Sequence, residues 1–128
     1  MCWTQLGVTA GVMLLADAAW LSYIAPEFRA MIASIQGSPM GVKYIPVAIC
    51  YMVMILGLWY FAILPARGDY GIAATQGAAL GATVYGVYEM TNLATIKGWN
   101  PRIALMDWIW GTLLFAGTAA AATYVTGS

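Results

Sequence analysis

Three acidic side chains stand inside apolar stretches of this sequence. Asp17 lies in MLLADAAWLS, Glu89 in VYEMTNL and Asp107 in IALMDWIW. A charge at mid-bilayer costs at least about 2.5 kcal/mol, and acids in membrane segments commonly mark proton or cation pathways. Two hypotheses follow for the three carboxylates. They form a binding site for a proton, a cation or a small solute, or they are hydrogen-bonded ties between helices.

The composition indicates that these acids lie in a membrane protein. Of 128 residues, 62% are hydrophobic and 8% are charged, whereas soluble domains carry about 25% charged residues. Five basic residues balance five acidic ones, so nucleic-acid binding is not expected. The length fits a single transmembrane domain, residues 1–128, with about four spans of roughly 20 residues each.

Four apolar segments predict an all-α, integral-membrane, antiparallel bundle of four transmembrane helices. The spans cover about residues 5–25, 44–64, 70–96 and 103–124. The first is expected to end before Pro26 and the second before Pro65, because proline disrupts a helix interior. Between them, a short interfacial helix is expected from Glu27 to Ile35.

Basic residues are concentrated in the loops of one face. Because consecutive spans alternate in direction, loops 26–43 and 97–102 share that face. They hold four of the five basic residues, namely Arg29, Lys43, Lys97 and Arg102. The positive-inside rule therefore predicts that both loops are cytoplasmic and that both termini face outward.

The three acids are expected to share one layer of the bundle. Asp17, Glu89 and Asp107 lie nine, eight and five residues from the loops on that face. At about 1.5 Å per residue they differ in depth by only a few ångströms. Because three charges together are costly in a low dielectric, at least one acid is expected to be neutral near pH 7.

Helical phase turns these acids towards other helices. Gly77, Gly81, Tyr85 and Glu89 recur every four residues and so form one stripe. Small residues in such a stripe permit close helix approach, which predicts packing contacts at Gly77 and Gly81, and by the same reasoning at Gly111 in the fourth span.

Aromatic and amide side chains surround the acids in the sequence. Trp20 and Trp110 each follow an aspartate by three residues, so each indole shares a helix face with the acid of its own helix and could donate to it. Tryptophan is also common near membrane interfaces, which is the alternative explanation. The candidate binding residues are Asp17, Trp20, Tyr85, Tyr88, Glu89, Asn92, Asp107 and Trp110.

The sequence lacks the residues that common cofactors and catalytic pairs require. The chain has no histidine, the commonest haem ligand, and its lysines Lys43 and Lys97 fall at predicted helix ends, where they cannot hold retinal. We therefore predict no cofactor and no metal. Ser22 lies on a different face from Asp17, so no nucleophile–base pair supports an enzyme.

Several segments resemble a bacterial membrane-protein family catalogued as domain of unknown function 2177. They are DAAWL at 17–21, VAICYMVMILGLWYFAILPA at 47–66, YEMTNLATIKGW at 88–99 and DWIWG at 107–111. Glu89 stands where that family usually has aspartate. The resemblance implies a small polytopic protein and brings no activity. The distinctive positions are Asp17, Trp20, Tyr88, Thr91, Asn92, Lys97, Trp99, Asp107, Trp110 and Gly111.

Two functions remain open at this point. The acid layer suits a small transporter or channel for protons, cations or a small solute, and a bundle of four spans is expected to form a pore as a homo-oligomer. The alternative is a non-catalytic accessory or scaffold subunit of a larger membrane complex.

Overall fold

Four long helices form the bundle. The computed structural model describes residues 2–127, with only the backbone at Cys2, and within that range it contains no strand. The helices are α1 (Cys2–Gln36), α2 (Tyr44–Ala66), α3 (Tyr70–Thr95) and α4 (Pro101–Thr126). Helices α1, α2 and α4 are long and apolar enough to cross a membrane. The predicted all-helical membrane fold is confirmed.

Side-chain contacts show that neighbouring helices are antiparallel. Asp17 of α1 is hydrogen-bonded to Trp110 of α4, and Glu27, later in α1, is bonded to Arg102, which comes earlier in α4. The two helices therefore run in opposite directions. Helix α4 also packs against α3, where Gly77 lies against Phe115 and Gly86 lies against Trp108. The later residue of α3 contacts the earlier residue of α4, so these two helices are antiparallel as well.

The first helix continues through Pro26, so the expected end before this proline was wrong. Proline removes one backbone hydrogen bond from the helix, but the residues that follow gain packing that offsets this loss. Met31 is buried with Trp99 and Ile103, and Phe28, Ile32 and Ile35 pack against the same cluster. The expected interfacial helix is therefore the last part of α1, which ends at Gln36; the next residue, Gly37, has a φ of 73°.

Helix α2 packs against the bundle through its second half. Residues 41–50 are all exposed, whereas Leu58, Ala62 and Ile63 are completely buried. Between Trp59 and Ile63 the helix widens into a π-helical turn, which changes the face that the following residues present. The helix runs slightly past the expected end at residue 64, to Ala66, and Arg67 then adopts a left-handed conformation.

Helices α3 and α4 approach each other most closely. A Cβ atom added to Gly77 would lie 2.6 Å from the carbonyl oxygen of Phe115, and one added to Gly81 would lie 2.5 Å from that of Gly111. At Gly111, the ring of Tyr85 occupies the space that a Cβ would need, 2.0 Å from its Cγ. All three packing glycines therefore lie at this helix–helix contact.

Candidate functional site

Asp17, Glu89 and Asp107 are buried and lie near one another. Their exposed fractions are 5%, 0% and 9%. The carboxyl group of Asp107 interacts with that of Glu89 and, through space, with that of Asp17. We call these three residues the acid cluster. Helices α1, α3 and α4 each contribute one member, so the cluster exists only in the assembled bundle.

Two donors from other helices hold the carboxylate of Asp17. The indole Nε1 of Trp110 donates to Oδ1 at 2.9 Å, and the hydroxyl of Tyr51 donates to Oδ2. Both carboxylate oxygens of Asp17 are therefore hydrogen-bonded, and the acid links α1 to both α2 and α4.

Each of the two tryptophans lies beside the acid of the facing helix, and Trp110 donates to it. Trp110 donates to Asp17, while Trp20 lies beside Asp107. The two indole rings stack between them, with centroids 5.2 Å apart and planes inclined by 11°. The possible bond from each indole to the acid of its own helix is not present in residues 2–127: Trp110 donates to Asp17, and Nε1 of Trp20 has no hydrogen-bond partner there. Because α1 and α4 are antiparallel, each Asp-x-x-Trp pair faces the other, and each ring reaches across the contact.

The loop between α3 and α4 brings a further indole to Glu89. Gly98 has a φ of 91°, which suits glycine, and the next residue, Trp99, turns back into the bundle. Its Nε1 donates to Oε1 of Glu89 at 2.8 Å, and both side chains are buried. The second oxygen, Oε2, has no hydrogen-bond partner within residues 2–127, and neither has Nε1 of Trp20.

The polar candidates on α3 divide into two groups. Tyr85 is half-buried over Gly111 and lies near Asp17 and Asp107. Tyr88 is 54% exposed, packs edge-on against Trp99 and interacts with Asn92. The structure therefore does not bring Tyr88 into the acid cluster, because it is rotated by about 100° from Glu89 around the axis of α3. Asn92 is rotated by about 60° from Glu89 and interacts with Tyr88 instead.

Two donors of the site were not among the candidate binding residues. Trp99 belongs to the KGW segment that carries the family resemblance, and that segment could have pointed to it. Tyr51 is one of three tyrosines in the second span, and periodicity gives it no link to Asp17. Ser22, considered as a nucleophile, is exposed and donates to the carbonyl of Ala18.

The arrangement can hold and release a proton. The carboxyl groups of Glu89 and Asp107 are adjacent, and a proton on one can hydrogen-bond to the other. The indole and phenol groups around the cluster donate hydrogen bonds, which stabilise an ionised carboxylate without supplying a counter-charge. No group of His, Cys, Asp and Glu with metal-binding geometry occurs in the described part of the chain.

Fold and site together define a polytopic helical membrane protein with a buried acid cluster. The family model described as Predicted membrane protein (DUF2177) matches residues 3–125. The chain therefore belongs to this family, in agreement with the resemblance of its motifs. Neither the comparison with curated proteins nor that with solved structures gives a match.

Proposed function

We propose that the protein binds protons or a small cation at the acid cluster and carries them across the membrane. The observation that supports this most directly is the completely buried carboxyl group of Glu89, which has one oxygen without a partner among the described residues and lies beside Asp107. Two adjacent buried carboxyl groups are stable when they share a proton, because two ionised carboxylates in a low dielectric repel each other.

The cluster is divided into a fixed part and an exchangeable part. Asp17 has donors on both oxygens and orders the contact between α1 and α4. Glu89 and Asp107 form the exchangeable pair, since Oε2 of Glu89 can accept a proton. A proton needs a single acceptor, whereas a metal cation would need several oxygen ligands. The proton is therefore the favoured ion.

The direction of the bundle in the membrane is part of the proposal. Residues 26–43, which include the end of α1, and the loop at 97–102 carry four basic residues, which favours a cytoplasmic location for both segments and outward-facing termini. Attaching a reporter that is active on only one side of the membrane to the C-terminus would test this. Reporter activity on the cytoplasmic side would contradict the proposed direction.

We also propose that the transporting form is a homo-oligomer. Four helices enclose little internal space, and residues 41–50 at the start of α2 are exposed on every face. Contact between α2 helices of neighbouring copies would cover this segment and widen the path along the bundle. The mass of the detergent-solubilised protein, measured by light scattering, tests for more than one copy.

Proton flux in reconstituted vesicles tests the proposed function. Wild-type protein should dissipate a pH gradient, and Glu89→Gln and Asp107→Asn should abolish the flux while preserving the fold, because an amide keeps the shape of the exchangeable pair but cannot ionise. Asp69→Asn is the matched control. Asp69 caps α3 by accepting from Gly71 and Ile72 at 2.9 and 3.0 Å, and asparagine caps equally well.

The result that contradicts transport is a wild-type protein without flux of protons or cations. Flux that persists in both amide variants would place the conducting path elsewhere. In either case, the cluster would be a set of interhelical ties.

The second candidate is an accessory subunit of a larger membrane complex. The exposed segment at residues 41–50 also favours this function, because another protein chain could cover it. Purification from native membranes in mild detergent distinguishes the two. A constant stoichiometry with other chains supports the accessory role, and a pure homo-oligomer supports transport.

A further inference from the structure

A second group of polar side chains is buried on the other side of Met13. Along the inner stripe of α1, the residues at four-residue intervals are Gln5, Thr9, Met13 and Asp17, and all four are buried. Two polar residues therefore occupy the same stripe as the acid of the cluster. Gln5 accepts from the indole of Trp59 at 3.1 Å, which keeps its amide inside the bundle.

Helix α4 adds two buried hydroxyl groups without partners. Thr118 and Thr123 are 1% and 0% exposed, and neither Oγ1 has a hydrogen-bond partner within residues 2–127. Other threonines of the bundle donate to the carbonyl four residues earlier: Thr9, Thr75, Thr83, Thr95, Thr112 and Thr126. Thr118 and Thr123 thus lack the partner that a helix ordinarily supplies.

The antiparallel register places Thr118 opposite Thr9. Asp17 contacts Trp110, and moving eight residues back along α1 and eight onward along α4 leads from this pair to Thr9 and Thr118. Midway between the two levels, Met13 and Leu114 belong to one buried cluster, so the helices remain packed along this stretch. On this register Gln5, Thr9 and Thr118 lie at neighbouring levels of the bundle, beyond the apolar level of Met13 and Leu114, and we call these three residues the second polar layer.

We infer that this second polar layer binds water and gives protons access to the acid cluster from the end of the bundle where α1 begins. A buried hydroxyl without a partner is costly, and an internal water that bonds two to four polar groups is the usual solution. The role in proton access depends on the proposed function. Each water accepts one proton and passes one on, so no group in the layer changes its charge overall.

The apolar layer of Met13, Leu114 and Phe115 separates this water from the acid cluster. All three side chains are at most 4% exposed. Met13 is unbranched and flexible, so a change of its rotamer is the movement that would let water pass this layer. The layer would therefore act as a barrier that opens transiently.

Isosteric substitution at Thr118 tests the role in proton access. Thr118→Val removes the hydroxyl and keeps the shape, and proton flux should fall roughly tenfold, the factor for losing about 1.4 kcal/mol of hydrogen bonding to the transported species. Thr118→Ser keeps the hydroxyl and should retain the flux. Thr83→Val is the matched control, because Thr83 is exposed and bonds its own helix.

Cysteine labelling tests the water independently of flux. In a protein in which serine replaces Cys2 and Cys50, Thr118→Cys should react with a small water-soluble thiol reagent, whereas Ala119→Cys, at a neighbouring buried position, should not. Reaction at position 118 without wild-type flux would support the water and contradict the proposed function. An unreactive cysteine would overturn the inference, and so would unchanged flux in Thr118→Val.

Discussion

Replacing Gly81 by alanine should force α3 and α4 apart. The added Cβ would lie 2.5 Å from the carbonyl oxygen of Gly111 and 2.7 Å from the Cβ of Phe115. Both obstacles are backbone or near-backbone atoms, so the helices must separate by about 1 Å to restore ordinary contact distances. Overpacking of this kind costs about 1–3 kcal/mol, of which the better helix propensity of alanine offsets up to about 1 kcal/mol.

The net effect should be a loss of about 1–2 kcal/mol, or roughly 4–8 °C in melting temperature. Thermal unfolding in detergent, followed by circular dichroism, measures it. Gly117→Ala is the matched control on α4, because a Cβ there meets no other described atom within 4 Å, and it should leave the melting temperature unchanged or slightly higher. Equal melting temperatures for the two variants would refute the close contact at Gly81.

Three further predictions concern polar contacts, each measured by the same unfolding assay. Trp99→Phe keeps an aromatic ring but removes the donor to Oε1 of Glu89, and it should cost about 1–3 kcal/mol; a stability equal to wild type would contradict this bond. Trp110→Phe preserves stacking on Trp20 but removes the 2.9 Å bond to Asp17, with an expected loss of similar size. Arg102→Gln breaks an exposed 2.8 Å ion pair with Glu27 and should change stability by less than about 1 kcal/mol. A larger loss would show that this ion pair is more than a weak surface contact.

Most of the fold could be predicted from the periodicity of the helices. Four apolar segments predict four helices, and the four-residue spacing of Gly77, Gly81 and Glu89 predicts a shared inner stripe. In the structure all three residues are buried. Such patterns are visible in one sequence because each depends only on the geometry of a single helix.

Features that depend on contacts between helices could not be predicted in the same way. The continuation of α1 through Pro26 requires the cluster around Met31 and Trp99, which lie far apart in sequence. The crossed pairing of Trp20 and Trp110 requires knowing that α1 and α4 are neighbours. Tyr51 reaches Asp17 from α2, and no spacing within a helix indicates such a contact.

Infrared titration of the carboxyl groups in lipid vesicles tests proton binding at the acid cluster most directly. Wild-type protein should lose absorption of protonated carboxyl groups between about pH 5 and pH 9, and Glu89→Gln should remove or shift this change while Asp69→Asn leaves it intact. A wild-type spectrum that shows no carboxyl proton exchange across this range would contradict proton binding at the acid cluster.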